Sequence, residues 1–157
     1  MNKPHYFFWG GLLSNWRQYN FVCDGITYNC VEQYMMWSKA MFFGDVRTAY
    51  EIMEEDQPVF QKQLGRSVIG FVEDEWDQIK YDIVKKGVAA RFSADKEAKD
   101  FLLSFEGFTI VEASPEDRIW GIGFSKEDAW DNVGNWGENL LGQILMEVRD
   151  EFLVNGN

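Results

Sequence analysis

Between residues 29 and 105 the sequence passes through five successive stretches whose apolar residues recur at helical spacing, and this run dictates a mainly helical fold. The first, CVEQYMMWSKAMFFG, comes after Asn29, a residue suited to N-capping, and ends at Gly44, suited to a C-cap. The others span 45–55, 58–64 with Gly65 as a stop, 73–92 and 94–105, each with a polar outer face. Short β-rich pieces flank the run. Tyr6 to Trp9 reads as a strand turning at Gly10-Gly11, and Phe21-Val22-Cys23 and Ile26-Thr27-Tyr28 enclose Asp24-Gly25, a strong hairpin signal. Residues 108–113 alternate and are rich in β-branched side chains until Ser114-Pro115 ends them, because proline cannot donate to a ladder. A glycine-rich loop is expected over 121–137 and a closing amphipathic helix over 139–152. Strands at the margins of a helical run predict an α+β fold with one small β-sheet. With 157 residues there is enough chain for one core, so a single domain over 1–157 is expected.

No apolar stretch approaches the roughly 20 residues a bilayer requires, so no membrane partner is expected. The start, MNKPHYFFWGG, lacks an apolar core and a cleavage site, which predicts a cytoplasmic protein. A formal net charge of -11 opposes binding of duplex nucleic acid, since displacing counterions from phosphates needs clustered Lys and Arg. A phosphate held by one or two basic groups in a pocket is compatible with that acidity. Cys23 and Cys30, with six residues between them, match no zinc or redox spacing. Aromatic residues make up 17% of the chain, seven of them Trp, more than a core of this size needs. Some rings are expected to line a pocket while others fill the interior.

Glu32 and Lys39 are seven apart, on one face of the first helix, with Tyr28, Met35 and Met36 on the same side. Two readings are open: both groups snorkel to water, or they are held on an apolar face, where desolvation demands a partner or a ligand. In the turn from Glu112 to Gly123, Asp117 can accept a hydrogen bond from a sugar hydroxyl or activate water, and equally can close an Asx-turn. Trp120 beside it can stack on a base, and Gly121 and Gly123 would let backbone approach a ligand. Arg66 can grip a phosphate or complement a helix end, and Asn15 lies in a loop of polar groups between apolar anchors. The glycines from Gly134 to Gly142 precede a helix start but lack phosphate-loop spacing. His5 is the only histidine and stands near a terminus, which removes triads that need one.

In this order the segments Ser14-Asn15, Asp24-Gly25, Val31-Glu32-Gln33-Tyr34, Lys39-Ala40, Gly65-Arg66, Trp76, Ala90-Arg91-Phe92, 110–123 and Asn139-Leu140-Leu141-Gly142 resemble the YbiA-like (NADAR) family of N-glycosidases. The likeness runs from about Tyr6 to Arg149 and departs at Gln33, where the family usually has His, and at Arg91, where Lys is common. It implies a cofactor-free enzyme, with no metal, that hydrolyses the bond from ribose C1′ to nitrogen. The implied small-molecule substrates are ribosylated or ADP-ribosylated: riboflavin-pathway ribosylamino pyrimidine phosphates, or ADP-ribose conjugates such as ADP-ribosylated guanine. Carried over by position, Glu32, Asp117 and Lys39 are the implied catalytic residues, and Asn15, Arg66, Trp76, Trp120 and Asn139 the substrate-binding ones. Glu32 would stabilise the developing oxocarbenium or activate water, and Asp117 would orient hydroxyls or water. Lys39 would steady Glu32, bind phosphate or attack C1′, and Trp76 and Trp120 would enclose the base. A non-catalytic ADP-ribose-binding module and an acidic interaction protein are the rival classes.

Overall fold

The computed structural model describes residues 3–156. Its backbone gathers into two compact units: one is the continuous segment Asn15–Asp95, and the other joins the residues up to Ser14 to those from Lys96 onward. The fold is α+β and mainly helical. In chain order its strands are β1 (His5–Phe8), β2 (Phe21–Cys23), β3 (Ile26–Tyr28) and β4 (Thr109–Glu112).

The continuous unit opens with an antiparallel hairpin of β2 and β3. Asp24 and Gly25 both take positive φ, 51° and 82°, the twist that joins two right-handed strands in two residues. Four helices come next: α1 (Val31–Phe42), α2 (Val46–Glu54), α3 (Pro58–Arg66) and α4 (Glu73–Ala94). Helix α1 is the hub, packed by the other three, and every residue from Val31 to Met36 is buried. That explains two glycines. A Cβ on Gly65 would lie 1.9 Å from Met36 Sδ, and one on Gly87 would lie 2.3 Å from Tyr34 Cδ2. Gly65 is therefore not the expected stop; α3 runs through it to Arg66, and the missing side chain lets α3 approach α1.

The start of α1 also differs from expectation. The N-cap is Cys30, whose Sγ accepts from the Gln33 N–H and donates to Gln61 Oε1, so Asn29 stands one residue outside. Both cysteines are buried and free. Gln33, one of the family departures, is a clasp: its Oε1 accepts from the Asn29 N–H at 2.8 Å and its Nε2 donates to the Ile52 carbonyl at 3.1 Å. It satisfies a helix end that burial has taken from water.

In the discontinuous unit β1 pairs in parallel with β4, His5 opposite Thr109 and Phe8 opposite Glu112. Two separate two-stranded sheets thus replace the one sheet expected from the sequence. Helices α5 (Lys96–Leu103), the short α6 (Lys126–Ala129) and α7 (Leu140–Val154) complete the unit. The expected glycine-rich loop over 121–137 contains α6 and a 3-10 segment, Trp130–Asn135. Helix α7 packs on β4, where Ile110, Leu141, Ile144 and Leu145 are buried, while Val111 is buried in a separate cluster with Ile122 and Ala129. Arg149, also buried, donates from Nη1 to the carbonyls of Phe105 and Phe108 and so satisfies the turn before β4. Of the seven tryptophans Trp76 alone is buried, at 7% exposure, so the indoles as a set are not core filler. No helix among the described residues is long and apolar enough to cross a membrane.

Candidate active site

The residues singled out from sequence divide between the units. Asn15, Glu32, Lys39, Arg66 and Trp76 belong to the continuous one, and Asp117, Trp120 and Asn139 to the other.

Glu32 is the second residue of α1, where the helix dipole favours a negative charge. Its exposure is 5%, so it does not snorkel. The segment before the hairpin meets it twice: the Glu32 N–H donates to the Asn15 carbonyl at 3.0 Å, and Trp16 Nε1 donates to Glu32 Oε1 at 2.9 Å. Asn15 is itself buried, and its Oδ1 has no hydrogen-bond donor among the described residues. A buried amide oxygen in that condition costs about 1–3 kcal/mol, a cost that a ligand donor would remove.

Lys39 lies seven residues on, roughly 10 Å along the axis at 1.5 Å per residue, and helical side chains lean toward the N-terminus, which aims it back at Glu32. It is half-buried, with Nζ 4.4 Å from the centre of the Phe71 ring. Burial lowers its pKa; Glu32 opposes that effect and Arg66 adds to it. Desolvation outweighs the attraction of the carboxylate, so the amine is held closer to neutrality. Arg66 is exposed on the last turn of α3. Trp76 is packed in the core rather than presented as a platform.

In the other unit Asp117 closes an Asx-turn, its Oδ1 accepting from the N–H groups of Ile119 and Trp120, both at 2.9 Å. Trp120 is partly exposed. Gly121 and Gly123 do not admit a ligand as the sequence suggests, because the space beside each is filled by the chain: a Cβ would lie 2.8 Å from the Glu112 carbonyl oxygen and 2.6 Å from Arg118 Cγ, respectively. Asn139 is likewise engaged as frame. Its Oδ1 accepts from the Glu112 N–H and its Nδ2 donates to the Ile110 carbonyl, so the amide ties β4 to the start of α7.

Trp16 and Phe71 are neighbours of the site that the sequence does not single out. Trp16 stands directly after the Ser14-Asn15 motif, which is the available signal; Phe71 carries none. Two hollows lie elsewhere in the continuous unit. A cleft of about 610 Å³ is lined by Gln18, Tyr19, Asn20, Asn29, Asp56 and Gln57, and a cavity of about 380 Å³ lies among the hairpin, α1 and α4; neither is lined by Glu32 or Lys39.

A buried carboxylate at a helix start, fixed by an indole N–H and succeeded along the helix by a desolvated amine, is an arrangement able to stabilise a cationic centre and move a proton. The chain as a whole is similar to known proteins. The family model of the NADAR domain matches residues 7–153. The chain is 42% identical over 139 residues to N-glycosidase R617 of Acanthamoeba polyphaga mimivirus, covering 87% of this chain and 82% of that one. It is 31% identical to the riboflavin biosynthesis protein PYRR, chloroplastic, of Arabidopsis thaliana, over 81% of this chain and 17% of that protein. The NMR structure of the E. coli protein YbiA superposes with a TM-score of 0.81 at 25% identity, covering 99% of this chain and 89% of that one. The chain belongs to the NADAR family.

Proposed function

We propose that this NADAR-family chain is an N-glycosidase that hydrolyses the bond between ribose C1′ and the nitrogen of a phosphorylated, ribosylated base. The class of reaction is that for which the viral relative is named. The observation that carries the reading is Glu32: a buried carboxylate at the start of α1, aimed by the Trp16 indole and backed by a half-buried lysine. As the bond to nitrogen breaks, positive charge develops at C1′ and the ring oxygen, and a carboxylate already in place lowers that barrier. Water then supplies hydroxide to C1′ and the proton that the departing nitrogen needs, with Glu32 as its base.

Lys39 has two chemically distinct parts to play. As a cation it steadies Glu32 or a phosphate; as an amine brought toward neutrality by burial it attacks C1′ and displaces the base, which leaves with the proton the amine sheds, and the sugar ring opens to a Schiff base that water then hydrolyses. Trapping with borohydride separates these, since only the second leaves the sugar phosphate reduced onto Lys39. Arg66, exposed and cationic, is the group we assign to phosphate, and the unsatisfied Asn15 Oδ1 to a ribose hydroxyl. Ribosylamino pyrimidine phosphates are the preferred substrates, supported by the riboflavin-biosynthesis name of the plant relative. ADP-ribosylated guanine is the next to test, and the cytoplasm is the compartment where both would be met.

The test is a mass-spectrometric screen of wild type, Glu32→Gln and Asp117→Asn against ribosylamino pyrimidine phosphate, NAD, ADP-ribose and ADP-ribosylated guanine. Free base and matching sugar phosphate should appear with wild type and be lost by a factor of roughly 100 or more in Glu32→Gln. Asp117→Asn keeps an acceptor for the two main-chain donors and removes only the charge, so a loss of rate there reports on the charge itself. Turnover retained by Glu32→Gln refutes the central role, and saturable binding without release replaces the enzyme with a binding module.

A further inference from the structure

The segment that reaches Glu32 is held at its other end by buried charge. Arg17, next to Trp16, donates from Nε to Asp95 Oδ2 at 2.8 Å. Asp95 stands just past the end of α4 and is 1% exposed, and the same oxygen lies 3.4 Å from Nη1 of Arg91, which is fully buried. Asp95 stands between the end of α4 and the start of α5 at Lys96; a carboxylate opposes the dipole of the first and suits that of the second, and the two arginines add their charge to it. Burial pushes the Arg91 guanidinium down to about 10, against the pull of Asp95, which marks how far this ion cluster is removed from water. Surface pairs of this kind contribute little; one whose acid is inaccessible holds its partner in a single position.

Three successive residues are thereby tied at three points. The Asn15 carbonyl takes the Glu32 N–H, the Trp16 indole takes the Glu32 carboxylate, and the Arg17 guanidinium takes Asp95. The start of α1 and the end of α4 are bridged by this short strap. Trp16 is 41% exposed, so burial of its ring alone does not fix the orientation of its N–H.

We propose that Trp16 is a positioning residue for Glu32 and that Arg17, locked to buried Asp95, fixes the geometry through which it acts. The inference rests on the reading of Glu32 as the reacting carboxylate. The strap lets Glu32 be buried yet aimed, because one carboxylate oxygen is pinned by the indole while the helix fixes the main chain.

Three variants test it: Trp16→Phe keeps a ring and removes the N–H, Arg17→Met removes the anchor while leaving Arg91 with Asp95, and Arg17→Lys restores a cation. With ribosylamino pyrimidine phosphate as the probe, Trp16→Phe and Arg17→Met should each lower kcat about tenfold with KM changed less than about twofold, the signature of misplaced chemistry. Arg17→Lys should recover much of the loss. A rise in KM at unchanged kcat would make Trp16 a substrate contact and overturn the proposal, as would wild-type kinetics in both variants. Independently of turnover, the Trp16 indole proton, assigned by its loss in Trp16→Phe, should shift and exchange faster in Arg17→Met and in Glu32→Gln; an unmoved resonance in both also overturns it. Glu32→Gln separates the two failures. If that variant is inactive while Trp16→Phe is normal, the enzyme reading stands and the strap fails; if it is active, the enzyme reading fails and the indole resonance still decides whether the strap exists.

Discussion

Lys39 carries the most informative conflict at the scale of single residues. Burial lowers the affinity of its amine for a proton more than Glu32 raises it, so the folded chain holds that proton less tightly than the unfolded chain. Stability therefore rises with pH through the window between the lowered folded value and the ordinary lysine value, and the whole cost is present at neutral pH, where both states are charged. Lys39→Met removes the cation and keeps most of the apolar stem. It should raise the melting temperature at pH 7, flatten the rise of stability with pH through that window, and lower turnover roughly a hundredfold. Thermal denaturation across pH 6–10 with a parallel rate assay checks all three, and a melting temperature that falls would mean that Lys39 is held by attraction rather than at a cost. Glu32 and Lys39 are legible in sequence because polar residues on an apolar helical face violate the pattern around them. Trp16 is not, because its hydrogen bond crosses sixteen positions and only the folded chain brings its ends together.

At the scale of elements, six helices are visible from periodicity and punctuation, the closing one included, but the meaning of their glycines is not. A glycine near a helix end reads as a stop; Gly44 is one, with φ 78°, whereas Gly65 is a contact surface. Local sequence cannot separate the two, since the distinction depends on which helix lies opposite. The same geometry makes an ordered prediction. Alanine normally stabilises a helix by about 1 kcal/mol over glycine. At Gly65 the new methyl meets Met36, a flexible side chain that can repack, and at Gly87 it meets the ring of Tyr34, which must move as a body. Gly65→Ala should therefore cost about 1 kcal/mol net and Gly87→Ala about 2–3, the range in which overpacking exceeds propensity. Urea denaturation reads both, and a stabilised Gly87→Ala would show that α4 does not approach α1 as closely as described. The β pairing is hidden for a different reason. The hairpin at Asp24-Gly25 is local chemistry, while the parallel match of β1 with β4 joins residues about a hundred positions apart and leaves no mark on either strand alone.

For the molecule as a whole, 26 acidic residues against 15 basic ones set the response to salt. Two opposing terms are screened together as ionic strength rises. Exposed pairs such as Arg47 with Glu51 and Lys96 with Asp100 weaken, but each contributes only about 0–1 kcal/mol at the outset. The mutual repulsion of the excess acids weakens as well, and it acts over the full Debye length, which falls from about 30 Å at 0.01 M to about 8 Å at 0.15 M. The longer-ranged term prevails in a chain with net charge -11, so the melting temperature should rise by a few degrees, about 2–4 °C, between 10 and 150 mM NaCl. Equal ionic strengths of NaCl and KCl should act alike, since screening and not ion identity is responsible. The buried Arg17–Asp95–Arg91 cluster lies outside this effect, being inaccessible to counterions at its acid. A melting temperature that fell over this range would locate the dominant electrostatics in the surface pairs, and the acidic surplus would then be spread too thinly to strain the fold.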